Sequence, residues 1–152
     1  MKPQAAEHTE WLQFTFEMAS ANEADLALRW EKLRVPVRLA VDVNSKVLKD
    51  CRAAVAAAPA DDWRTRYRAA NWCFDNGQAT TDAAAWAASA LATKENFQTL
   101  SLAAKLSAKG GRTKEAVAQM TKAVELGKAD KDLVPAQIEP MEKLLAEWTA
   151  KK

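Results

Sequence analysis

The chain has 152 residues, 49% of them hydrophobic, and 22 basic against 20 acidic side chains leave a net charge of +2. That length suits one domain, or one with a small appendage, and so balanced a charge points to neither nucleic acid nor an anionic membrane as partner. No apolar run approaches the roughly 18 residues of a membrane span, and Met1 to Glu10 has no signal-peptide core.

From Thr9 to Val43 apolar residues recur at every second position, the period of a half-buried strand. Leu12, Phe14, Phe16 and Met18 share one face; Trp11, Gln13, Thr15 and Glu17 share the other. Ser20-Ala21-Asn22-Glu23 fits a turn. Leu26, Leu28 and Trp30 then alternate with Ala27 and Arg29, and Val35, Val37, Leu39 and Val41 with Pro36, Arg38 and Ala40. This predicts two or three antiparallel strands over residues 1–43. Pro36 cannot donate a ladder hydrogen bond, which places its strand at an edge or turns its nitrogen away from a neighbour. Two strands alone are marginal in water, so their apolar face must pack on helices, on further sheet or on another chain. The open edge also allows self-association.

After Asp42 the period becomes 3.6, and residues 44–152 read as about six helices. Helix one is expected from Asn44 to Ala58, with Val47, Leu48, Cys51 and Val55 inward, ending at Pro59. Asp61 or Asp62 is expected to cap helix two, which carries Trp63, Tyr67, Ala70, Cys73 and Phe74 up to Asn76-Gly77. Thr80 or Thr81 opens helix three, with Ala83, Trp86, Ala87, Ala90 and Leu91 as its stripe. Thr93 is expected to cap helix four, closed by Gly110-Gly111, and Thr113 to cap helix five, which runs to Gly127. The last helix, with Pro135 or Pro140 in its first turn, holds Ile138, Met141, Leu144, Leu145 and Trp148 on one stripe. Lys151 and Lys152 would sit against its dipole. The fold class is mainly α, with a short N-terminal antiparallel β segment.

Two of these helix pairs repeat at a spacing of 33 residues: Asn76-Gly77 matches Lys109-Gly110, and Ala83, Ala87, Ala90 and Leu91 match Ala116, Met120, Ala123 and Val124. Such a period signals a stacked array, because one helix pair cannot bury its apolar face alone. Gly111-Arg112-Thr113-Lys114-Glu115-Ala116, followed by Met120 and Ala123, resembles the second helix of a tetratricopeptide repeat, and Asn76 to Ala90 is a looser copy. Tyr67 and Leu100 stand at that repeat's large apolar position and Ala70 and Ala103 at its small one, while its usual proline after the second helix is missing. A wider likeness is to bacterial envelope proteins of unknown function, in which a β-sandwich ends in a segment similar to Leu26 to Val37 and continues into tetratricopeptide-like helices. Trp72-Cys73-Phe74-Asp75-Asn76 and Ala85-Trp86-Ala87 are also similar to that family. The resemblance implies a periplasmic or secreted setting, with most of the β-domain absent from this chain.

Chemistry-bearing groups are sparse. His8, the single histidine, has no serine or cysteine placed for it to activate, and no cluster of His, Cys, Asp or Glu suggests a metal. Cys51 and Cys73 straddle a helix reversal, with an axial mismatch of about 6 Å that disfavours a disulfide. No cofactor is implied, and the chain reads as no enzyme. In a tetratricopeptide hairpin, Trp72 would face the concave groove with Arg68 four residues before it and Ser101, Lys105 and Lys109 beside it on helix four. That set suits an extended peptide bearing carboxylates. The expected function is therefore a protein–protein interaction or scaffolding module. The alternative is helical support for an envelope ligand- or glycan-binding β-domain. Arg52, Arg64, Arg66 and Arg68 raise nucleic acid, but interleaved Asp50, Asp61, Asp62 and Asp75 cancel much of their field.

Overall fold

The computed structural model describes residues 2–20, 22–78 and 80–150. Ala21 of the expected turn, and Lys151 and Lys152, lie outside the described residues. Two strands, β1 (Gln4–Met18) and β2 (Glu23–Ala40), precede six helices: α1 (Val43–Ala57), α2 (Trp63–Asp75), α3 (Thr80–Thr93), α4 (Phe97–Lys109), α5 (Thr113–Ala129) and α6 (Pro135–Ala150). Contacts divide the chain into two compact units, Met1–Val47 and Leu48–Lys152.

In the first unit β1 pairs antiparallel with β2, with Phe14 opposite Leu28, Phe16 opposite Leu26 and Glu17 opposite Asp25. Strand β1 begins at Gln4 rather than Thr9, and the two runs expected as separate strands are continuous in β2. Run straight, 18 residues at about 3.3 Å each would span roughly 60 Å. Yet the Val41 amide, just past one end of β2, donates to the Asn22 carbonyl just before the other, at 2.9 Å. The strand therefore doubles back. Its midpoint falls at Glu31, the one non-glycine among the described residues with positive φ, at 52°. The register shifts on either side of Thr9, which opposes Glu31.

The face that carries Glu17 is ionic. Arg29 donates to Glu17, Arg34 to both Glu17 and Asp25, and Arg38 to Asp25 and Glu23. Ala27, on the same face, is fully buried. The apolar face is open: Leu12, Phe14, Phe16, Met18 and Trp30 are all more than half exposed. Trp30 is thus at the surface. His8, in β1, has its Nε2 3.2 Å from Glu31.

In the second unit the 33-residue repeat is visible as burial. Ala83, Ala87 and Ala90 of α3 are buried, as are Ala116, Met120 and Ala123 of α5. Helices α2 and α3 pack as one pair and α4 and α5 as another, and α4 also meets α3 and α2. Ala70, Ala87 and Leu102 form one apolar cluster with Tyr67, Phe74, Trp86 and Leu106 around it. Leu100, Ala104, Met120 and Ala123 form another, covered by Met141, Leu145 and Trp148 of α6. The arrangement is compatible with a helical array whose last helix covers the apolar side of α4 and α5.

Local signals set most helix ends. Asp42 caps α1 and Asp62 caps α2, each accepting from the amide and hydroxyl of the residue three further on. Gly77 and Gly111, at φ 64° and 77°, close α2 and α4. Three expectations are corrected. Thr93 ends α3, while Asn96 caps α4 in a reciprocal box with Thr99. Thr113 is the first residue of α5, after Arg112, which makes no side-chain capping bond. Gly127 does not stop α5 but is buried within it, where an added Cβ would lie 2.8 Å from the Phe97 ring. Pro135 opens α6 and Pro140 lies inside it, so one backbone hydrogen bond of that helix is missing.

Candidate functional site

The sequence places five residues on the groove side of α2 and α4: Arg68, Trp72, Ser101, Lys105 and Lys109. Helices α2 and α4 touch, and Lys109 Nζ stands 5.3 Å from the centre of the Phe74 ring. That cation–π contact ties the C-terminal end of α4 to that of α2. Trp72 and Lys105 are half-buried, and Arg68 and Lys109 are exposed.

Ser101 departs from the expectation. It is buried, and its hydroxyl donates to the Phe97 carbonyl at 2.6 Å. The cause is the central position of α4, which meets α2, α3 and α5 and buries seven residues, so a position one turn before Lys105 is already interior. The exposed residues of α4 are Gln98 and Lys109, with Lys105 half-buried between them.

Among the described residues neither Arg68 nor Lys105 has an ion-pair partner, whereas Arg52 is held 2.8 Å from Asp82 and Arg112 2.8 Å from Glu115. Side-chain fixation in α2 goes elsewhere: Arg66 donates to the Pro59 and Asp62 carbonyls, and Arg64 lies over the Trp63 ring. Of the four arginines that raised nucleic acid, three are thus engaged within the chain.

Next to Lys109 is a cleft of about 350 Å³, lined by Thr80, Thr81, Leu106, Lys109, Gly110 and Arg112. It joins the start of α3 to the end of α4. Sequence reasoning treated Gly110-Gly111 only as a helix stop; the flanking Lys109 and Arg112 were its visible signal. None of the displaced titrating groups lines this cleft. Glu17 and Asp25 are held low by arginines, Asp42 and Asp62 by their capping hydrogen bonds to Ser45 and Thr65, and burial raises Tyr67, Cys51 and Cys73. The cysteines are free thiols, Cys73 buried and Cys51 half-buried.

Among the described residues no three His, Cys, Asp or Glu side chains gather as metal ligands, and no helix is long and apolar enough to cross a membrane. Comparison with family models, with curated proteins and with solved structures finds no match to this chain.

Proposed function

We propose that the helical unit is a non-enzymatic, tetratricopeptide-like interaction or scaffolding module, and that the open side of α2 and α4 takes an extended acidic peptide. What supports this reading is a pair of cations, Arg68 on α2 and Lys105 on α4, without ion-pair partners among the described residues, on two helices that touch, with the half-buried Trp72 one turn after Arg68. An unpaired guanidinium can take a carboxylate in two parallel hydrogen bonds, and an indole gives an extended chain an apolar anchor. Lys109, held beside Phe74, adds a third positive charge. A periplasmic or secreted setting goes with the reading through the envelope-family resemblance. A peptide-display selection on the intact chain tests it. Recovered peptides should be rich in Asp and Glu and should lose binding to an Arg68→Glu, Lys105→Glu variant. Selection of neutral or basic sequences, or equal binding to the variant, would reject it.

A further inference from the structure

We infer that the apolar face of the β unit recognises a second copy of itself. Phe14 and Phe16 stand opposite Leu28 and Leu26, and the alternation extends this face to Leu12, Met18 and Trp30. Exposure there runs from 53% at Trp30 and 56% at Leu12 to 80% at Met18. The returning half of β2 adds Leu39 and Val41, which line an apolar depression of about 240 Å³ together with Met18 and Ala24. The two halves of the bent ribbon therefore present one continuous patch.

Its size points to a stable interface. Large aromatic side chains cover about 150–250 Å² each, so the exposed parts of these residues amount to roughly 800 Å². That is the contribution of one partner to an interface of standard size, and it exceeds the roughly 300–600 Å² of the largest patch on a typical monomer. Charge selects the occupant. The ionic groups Glu17, Asp25, Arg29, Arg34 and Arg38 engage one another on the opposite face. What remains for a partner is a mostly apolar face, bordered by Glu23, whose charge Arg38 already engages, and an identical face matches it without leaving a charge unpaired. A two-fold axis would set Phe14 and Phe16 of one copy against the same patch of the other. The marginal two-stranded ribbon then becomes half of a two-layer sheet with a dry centre.

Sedimentation velocity on the intact chain across the micromolar range tests this. The unmodified protein should sediment as a concentration-dependent dimer, and Phe14→Lys with Phe16→Lys should give a monomer with the helical circular dichroism unchanged. Because two lysines could unfold the ribbon, Met18→Lys provides a milder variant. It should weaken dimerisation by roughly tenfold or more. A protein that stays monomeric at the highest concentration overturns the inference. So does a dimer that survives these substitutions, since pairing through strand edges would not depend on these side chains.

Discussion

Arg34 pairs in register with Gln4, yet one of its guanidinium nitrogens lies 2.6 Å from Glu17, thirteen residues further along the same strand. Another lies 2.6 Å from the Gln4 side chain. A straight strand would hold Gln4 and Glu17 about 43 Å apart, so β1 must bend as β2 does, and Arg34 ties the ends of the bent ribbon together.

That tie should be visible in titration. The hydrogen bonds from Arg34, and next those from Arg29, hold the Glu17 carboxyl at about 2 against an ordinary value near 4.5. The unfolded chain takes up this proton near the ordinary value. The stabilisation is therefore complete above about pH 4.5 and is lost as the pH falls through about 2. Carbon NMR of the Glu17 side chain should give a midpoint near 2, rising in Arg34→Gln. A midpoint near 4.5 in the unmodified protein would show that the bridge is not formed.

Glu31 occupies a left-handed conformation at the bend, with φ at 52°. A β-branched residue fits such a backbone badly, at a cost of about 1–3 kcal/mol, whereas glycine adopts it freely. Glu31→Val should lower the denaturation midpoint of the β unit, and Glu31→Gly should leave it unchanged or raise it despite losing the His8 contact. Equal effects in chemical denaturation would place the bend elsewhere.

How much of this was legible depends on the range of the signal. The two faces of the ribbon could be read because alternation is local, and α2 and α4 end where Gly77 and Gly111 are needed for a left-handed turn. The bend was not legible. Its determinants are Arg34 reaching Glu17 and Asp25 from 17 and 9 residues away, and no local pattern encodes that. Thr93 has the chemistry of a cap, but Asn96 and Thr99 form the reciprocal pair that starts α4. In the groove set, Arg68 with Trp72, and Ser101 with Lys105 and Lys109, follow the helical period. The burial of Ser101 depends on how many helices surround α4, which periodicity within one helix cannot reveal.

Gly127, inside α5, packs against the Phe97 ring of α4. A Cβ there would lie 2.8 Å from the ring and 3.4 Å from Ile138 of α6. Gly127→Leu favours the helix intrinsically, so a loss would report packing alone; we expect about 1–3 kcal/mol. An unchanged or higher melting temperature would mean that α5 and the Phe97 end of α4 are further apart.

Helix α6 should behave as part of the core. Met141, Leu145 and Trp148 pack on the cluster of Leu100, Ala104, Met120 and Ala123. Fully covering one large apolar side chain contributes about 1.5–3 kcal/mol, so three half-covered ones still amount to roughly 3–4 kcal/mol of a domain's 5–15. Deleting residues 141–152 should cause aggregation or a melting temperature many degrees lower. A monomeric truncate that melts with the parent would contradict this packing.

The proposed binding face is tested most directly by NMR mapping of the intact chain, titrated with an extended peptide of alternating Glu and apolar residues. The account predicts that the largest amide and indole shifts cluster at Arg68, Trp72, Lys105 and Lys109, that they weaken with added salt, and that they vanish in Arg68→Glu, Lys105→Glu. Shifts centred on another surface, or none at millimolar peptide, would contradict it.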